Sequence, residues 1–162
     1  MQNCLLFRCD IAVRIISELD RSYEGIDAIQ LRRLMMKCLR VYSTADGESH
    51  FDEVEIATTP RQVHPSAAVF ETSSKYMASS IRFTQIPADA GQVDWHTVPE
   101  RVLTVRLDGS AEYQTSDGDV RSVPAGSFVL FEDVDGKGHK SLHSPEEQTV
   151  LWISLPQGLD IA

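Results

Sequence analysis

Apolar and polar side chains alternate along much of this chain. Val102, Thr104 and Arg106 interleave with Leu103, Val105 and Leu107, the period of two that sends alternate side chains to opposite faces of a strand. Turn dipeptides follow at Asp108-Gly109, Asp117-Gly118 and Asp135-Gly136, with Pro124-Ala125-Gly126 between them. Alternating runs broken by Asp-Gly turns predict hairpins. Strands this short and this regularly spaced predict an antiparallel sandwich or barrel. Two further strands are expected on either side of Asp46-Gly47, one at 40–42 and one carrying Phe51, Val54 and Ile56. Residues 77–86 resume the alternation, with Met77, Ile81, Phe83 and Gln85 on one face. The near-continuous apolar run at 148–155 suits a strand buried on both faces. Residues 58–75, rich in Thr, Pro and Ser, read as a long loop able to cover a barrel end.

The pattern changes before residue 40. Leu5, Leu6, Ile11, Ala12, Ile15, Ile16 and Leu19 fall near helical spacing, and residues 20–25 interrupt it. Asp27 is placed to cap a second helix carrying Ile29, Leu31, Leu34, Met35 and Leu39. The chain thus divides into a helical extension (1–39), a barrel domain (40–155) and a tail (156–162). The extension has two readings. It is an arm packed on the barrel or on a second subunit, or it is sequence upstream of a start at Met35 or Met36.

The spacing inside residues 91–143 is more specific than the alternation. Gly118, five residues, Pro124, one residue and Gly126 match the second motif of the cupin superfamily. The first motif is half present, running through His96 and ending at Gly109, seven residues after Val102. The chain resembles a small single-domain cupin over about residues 40–155. That resemblance implies a mainly β fold, a double-stranded β-helix (jelly-roll-like) barrel that often holds a metal in its mouth. It also implies two His, one Glu and a third His as metal ligands. Here only the first position, His96, is retained; the others fall on Val98, Val102 and Val129, which bind no metal.

Composition narrows the partners. The net charge is −9, which disfavours nucleic acid. The charge is uneven: residues 1–45 carry +2 and the remaining 117 carry −11. Cys4, Cys9 and Cys38 all lie near the start, an odd set that argues against a disulfide framework and for a reducing, cytoplasmic compartment. No run approaches the ~20 apolar residues of a membrane span, and the start has no basic n-region or long apolar core, so a secretory signal is not expected.

Strand parity selects the site. If the motif positions face the cavity, so do His96, Val98, Val102 and Val129, and Phe131 shares their parity. A hairpin centred near Asp135 sets His139 opposite Phe131 and inward, beside the lost third His. His96, His139 and a carboxylate, Glu132 ahead of Asp133, form a set that suits Zn, Fe(II) or Mn(II). Placing Glu132 in that set requires a bulge to re-aim it. Without a metal the two histidines suit general acid–base chemistry. Arg106 is expected to face inward, able to hold a substrate carboxylate, with Tyr113 beside it; Arg101 is expected on a solvated face and Trp95 outside the barrel. Two functions stand. One is an enzyme acting on a small organic acid, sugar derivative or polyketide-like aromatic by isomerisation, elimination, cyclisation or metal-assisted oxidation. The other is a non-catalytic ligand-binding or accessory cupin. A homodimer is expected in either case, with the strands at 40–56 near the interface.

Overall fold

The computed structural model describes residues 36–159, so the helices expected within residues 1–35 lie outside the described residues. The described chain is all β. In order it runs β1 (Met36–Ser43), β2 (Ser49–Ile56), β3 (Thr58–Gln62), β4 (Val69–Ser73), β5 (Ser80–Ile86), β6 (Gln92–His96), β7 (Val102–Arg106), β8 (Ser110–Thr115), β9 (Val120–Pro124), β10 (Phe128–Glu132), β11 (His139–His143) and β12 (Gln148–Ser154). A six-stranded sheet, β2-β1-β10-β7-β12-β5, faces a four-stranded sheet, β6-β11-β8-β9, and β3-β4 form a separate ribbon. The two sheets enclose a β barrel. No helix among the described residues is long and apolar enough to cross a membrane.

Sequence alternation decides what fills the barrel. From the large sheet, Val41, Val102, Val129 and Phe131 point inward; from the small sheet, Ala111, Tyr113 and Val123 meet them, and Val98 joins from the loop after β6. Residues of the other parity, Cys38, Val54, Ile56 and Leu130, form a second cluster on the opposite face of the large sheet, where Tyr76 and Leu159 cover it. Fully burying such a side chain stabilises by about 1.5–3 kcal/mol, so a one-residue slip in any of these strands would exchange core for solvent.

Three sequence expectations change. Strand β1 starts at Met36, so residues 36–39 are strand and not the end of a helix. Its alternation is satisfied by pairing along two neighbours, β2 on one side and β10 on the other. The β10 ladder is parallel, so the barrel is not purely antiparallel. The 58–75 loop contains the β3–β4 hairpin, paired from Thr58↔Ser73 to Gln62↔Val69. Pro60 and the Ser and Thr content suggested a loop, but β-branched residues suit an exposed two-stranded ribbon, where proline is tolerated at an edge.

Candidate functional site

The site forms where β6, β11 and the end of β10 converge. His96 and His139 are direct cross-strand partners, and their ring centroids lie 4.4 Å apart. Cross-strand partners share a face, so both rings sit on the inner side of the small sheet. Gly138 makes this approach possible. Its φ is +69°, and a Cβ there would stand 2.0 Å from the carbonyl oxygen of His96.

Each imidazole is anchored through Nδ1. That of His139 donates to Asp133 Oδ2 at 2.6 Å, and that of His96 donates to the backbone carbonyl of Asp94 at 2.7 Å. A carbonyl and a carboxylate can only accept, which places a proton on each Nδ1 and leaves each Nε2 for chemistry. Neither Nε2 has a protein hydrogen-bond partner among the described residues. The His139–Asp133 pair is deeply enclosed, at 3% and 0% side-chain exposure. Phe131 stacks on His139 at 4.7 Å and Tyr113 meets it edge-on at 5.7 Å. These aromatics hold the ring in one orientation and keep water from the hydrogen bond.

Deeper along the same interior lies Arg106, with 3% of its surface exposed. Its Nη1 donates to Gln148 Oε1, and its Nη2 donates to the Tyr113 hydroxyl at 3.1 Å. Burial raises the Tyr113 pKa, with Arg106 opposing in part, so the hydroxyl stays protonated. Gln148 is itself fixed by donating to the Ser144 carbonyl and hydroxyl at 3.0 and 2.8 Å. It packs where a Cβ on the motif glycine Gly109 would sit, 2.4 Å from its Cγ.

His143 completes the inner row of β11. It lies on the face of His139 and Ser141, and burial, then Arg106, then His96 push its pKa below the ordinary 6.5. The neutral form is therefore favoured in the folded chain, while the unfolded chain takes up the proton more readily. Stability from this group is fully present above about pH 6.5 and is lost as pH falls toward the depressed folded value. Replacing His143 by Asn should flatten the dependence of unfolding free energy on pH between about 7 and 5. Urea melts at a series of pH values measure it; parallel curves for variant and parent would refute this account.

The expected metal set is not assembled. Val98, Val102 and Val129 are all core residues, leaving no donor at three of the motif positions. Glu132 points away, toward Arg40 Nη1 and Arg101 Nε, each at 3.4 Å. No bulge re-aims it, and the following residue, Asp133, is the carboxylate that meets a histidine. Among the described residues no group of three or more His, Cys, Asp or Glu is arranged to hold a metal. The donor set does not fit the divalent ion implied by the resemblance.

Other placements are partly as expected. Strands β10 and β11 do not form a hairpin; they belong to different sheets, and the 133–138 segment crosses between them. His139 nevertheless points inward and stacks on Phe131, because the two sheets face each other. Arg101 is half exposed, and Trp95 lies outside with Lys140 Nζ 5.0 Å above its ring. His50 bonds Asp117 on the surface and His64 bonds Ser66 in the ribbon turn. His143, Gln148 and Trp152 were not singled out from the sequence. His143 had a usable signal, since it lies four residues from His139 in one alternating strand. Trp152 lines a recess of about 90 Å³ with Ser80, Arg82, Pro99, Glu100, Val102 and Ser154. It also stacks on Phe131 at 6.5 Å, linking that recess to the histidine end.

No protein-family model matches the chain, and no curated protein matches it. Solved structures do resemble it. A protein from Neisseria meningitidis aligns at 16% identity and TM-score 0.36, over 46% of this chain and 71% of its own. A conserved protein of unknown function from Streptococcus pyogenes aligns at 18% identity and TM-score 0.37, over 51% and 68%. A protein assigned to ethanolamine utilization in Salmonella typhimurium aligns at 14% identity and TM-score 0.39, over 75% and 97%. Similarity at this level says nothing of substrate or reaction.

Proposed function

We propose that the barrel interior is a metal-independent acid–base site acting on a small organic molecule, of the isomerase or lyase kind. The observation that carries this reading is the buried Asp133–His139 hydrogen bond facing His96, with both Nε2 atoms unengaged. A base oriented by a carboxylate, next to a second imidazole, is the arrangement that proton transfer requires. In this reading His139 Nε2 takes a proton from a carbon next to a carbonyl group. The electron pair moves onto the carbonyl oxygen, which accepts a proton from Nε2 of doubly protonated His96. Where the deprotonated carbon bears a hydroxyl, His139 returns its proton to the former carbonyl carbon while that hydroxyl gives its proton to His96, completing an isomerisation; where the next carbon bears a leaving group, the enol proton goes back to His96 as the group departs with the proton from His139, completing an elimination. Arg106 and Tyr113 hold and orient the substrate.

Deuterium exchange tests this reading. The chain, treated with a chelator, is incubated in D2O with a mixture of small carbonyl compounds and organic acids, and mass spectrometry follows label at carbon. Exchange is expected in the parent and should fall about 100-fold or more in His139→Gln and in His96→Gln. Exchange equal in the variants, or none in the parent, would reject the reading. The valines at 98, 102 and 129 favour the second reading, a non-catalytic barrel that binds a small ligand, and absence of exchange with retained binding would select it.

A further inference from the structure

Arg106 stands in an unusual electrostatic position. It is almost fully buried, yet its two side-chain partners, Gln148 and Tyr113, are both neutral. The other arginines with side-chain ion pairs meet acids: Arg40 meets Asp52 and Glu132, Arg101 meets Glu132, and Arg121 meets Asp119. A chain of net charge −9 does not lack carboxylates, but none is placed within ion-pair distance of this guanidinium among the described residues. Asp133 is turned to His139 instead. Tyr113 supplies no counter-charge, because burial keeps its proton on. Four buried polar atoms among the described residues have no partner, Arg106 Nε, His143 Nδ1, Asp133 Oδ1 and Trp152 Nε1, and the first two belong to the surroundings of this guanidinium. A buried charge without a counter-charge is strongly disfavoured, as is each buried donor left unmade.

We propose that the ligand of this barrel carries a carboxylate, which enters from solution and supplies the missing counter-charge to Arg106, with His143 beside it. The inference rests on reading the interior as the substrate site, and it names the substrate class as a small organic acid. Charge favours a carboxylate over a phosphate. Each Nη gives one of its two N–H groups to a protein partner, which leaves one N–H on each Nη, the unpartnered Nε and, in the tautomer with its proton there, His143 Nδ1. A planar carboxylate can take a bidentate pair of hydrogen bonds from the Nε edge of a guanidinium. Its single negative charge balances that of Arg106, whereas a phosphate would bring a larger charge to the same buried place.

The test uses the full chain with benzoate and succinate against their neutral counterparts, benzamide and succinamide, followed by calorimetric titration and thermal unfolding. The acids should bind about tenfold or more tightly than the amides, the difference expected of a charge-assisted hydrogen bond. Arg106→Gln should bring that ratio close to one. Should Arg106→Gln fail to fold, His143→Leu, at a half-buried position, should still lower the ratio several-fold. Equal affinity for acids and amides in the parent, failure of both acids to bind, or a ratio unchanged in the folded variants would overturn the proposal. His139→Gln separates it from the acid–base reading, because that variant should keep the preference for acids. Acid preference without deuterium exchange rejects only the acid–base reading; exchange without acid preference rejects only this inference.

Discussion

Asp133→Ala should lower the unfolding free energy by about 3 kcal/mol, seen as a melting temperature roughly 10 °C lower. The carboxylate is fully buried and its Oδ2 receives the only side-chain hydrogen bond that His139 makes among the described residues, at 2.6 Å. Removing it leaves an imidazole N–H buried with no acceptor and opens a small cavity. The same change frees the His139 ring, so proton-transfer activity should fall with stability. Packing and hydrogen bonding can be separated by repeating the substitution in a His139→Phe background, where no N–H remains to be orphaned. The cost there should drop by about 1–2 kcal/mol. Strict additivity of the two single changes would show that the pair is not coupled and would undo the explanation.

Gly138→Ala should destabilise by about 3–4 kcal/mol and separate the two histidines. Two costs combine. A non-glycine residue at φ +69° is disfavoured by about 1–2 kcal/mol. The new Cβ would also lie 2.0 Å from the His96 carbonyl oxygen, so β6 must move off β11, a backbone displacement of the kind that costs about 1–3 kcal/mol. Gly118 provides an internal comparison. Its φ is +93° with nothing within 4 Å of a built Cβ, so Gly118→Ala should show the conformational cost alone, about 1–2 kcal/mol. Chemical denaturation of the two variants decides it: equal losses would mean that contact with His96 contributes nothing.

The inward direction of His96 and Arg106 follows strand parity, which has a period of two; His139 also points inward, but the hairpin through Asp135 on which its expected direction depended does not form. The third member of the site was not legible. Glu132 and Asp133 are adjacent in sequence, and parity alone favoured Asp133 for the inner face. Asp133 falls in the expected turn, which puts Glu132 ahead of it, whereas the partners of Glu132, Arg40 on β1 and Arg101 just before β7, are remote in sequence. The same long-range pairing hid Gln148. Nothing near it in sequence announces that its amide meets a guanidinium 42 positions away.

Period-two alternation, the Asp-Gly turns and the glycine and proline spacing of residues 109–126 determined that this chain builds a β barrel and which side chains line it. Those features act locally, through φ preferences and the pleat, so they can be read one strand at a time. Only the tertiary structure decided that β10 and β11 lie in opposite sheets, that Asp133 rather than Glu132 meets His139, and that Arg106 is buried without an acid. Those outcomes depend on which strands pair and what each strand finds across the barrel. Hydrophobic burial drives that pairing without direction, and the chain's local pattern does not record it.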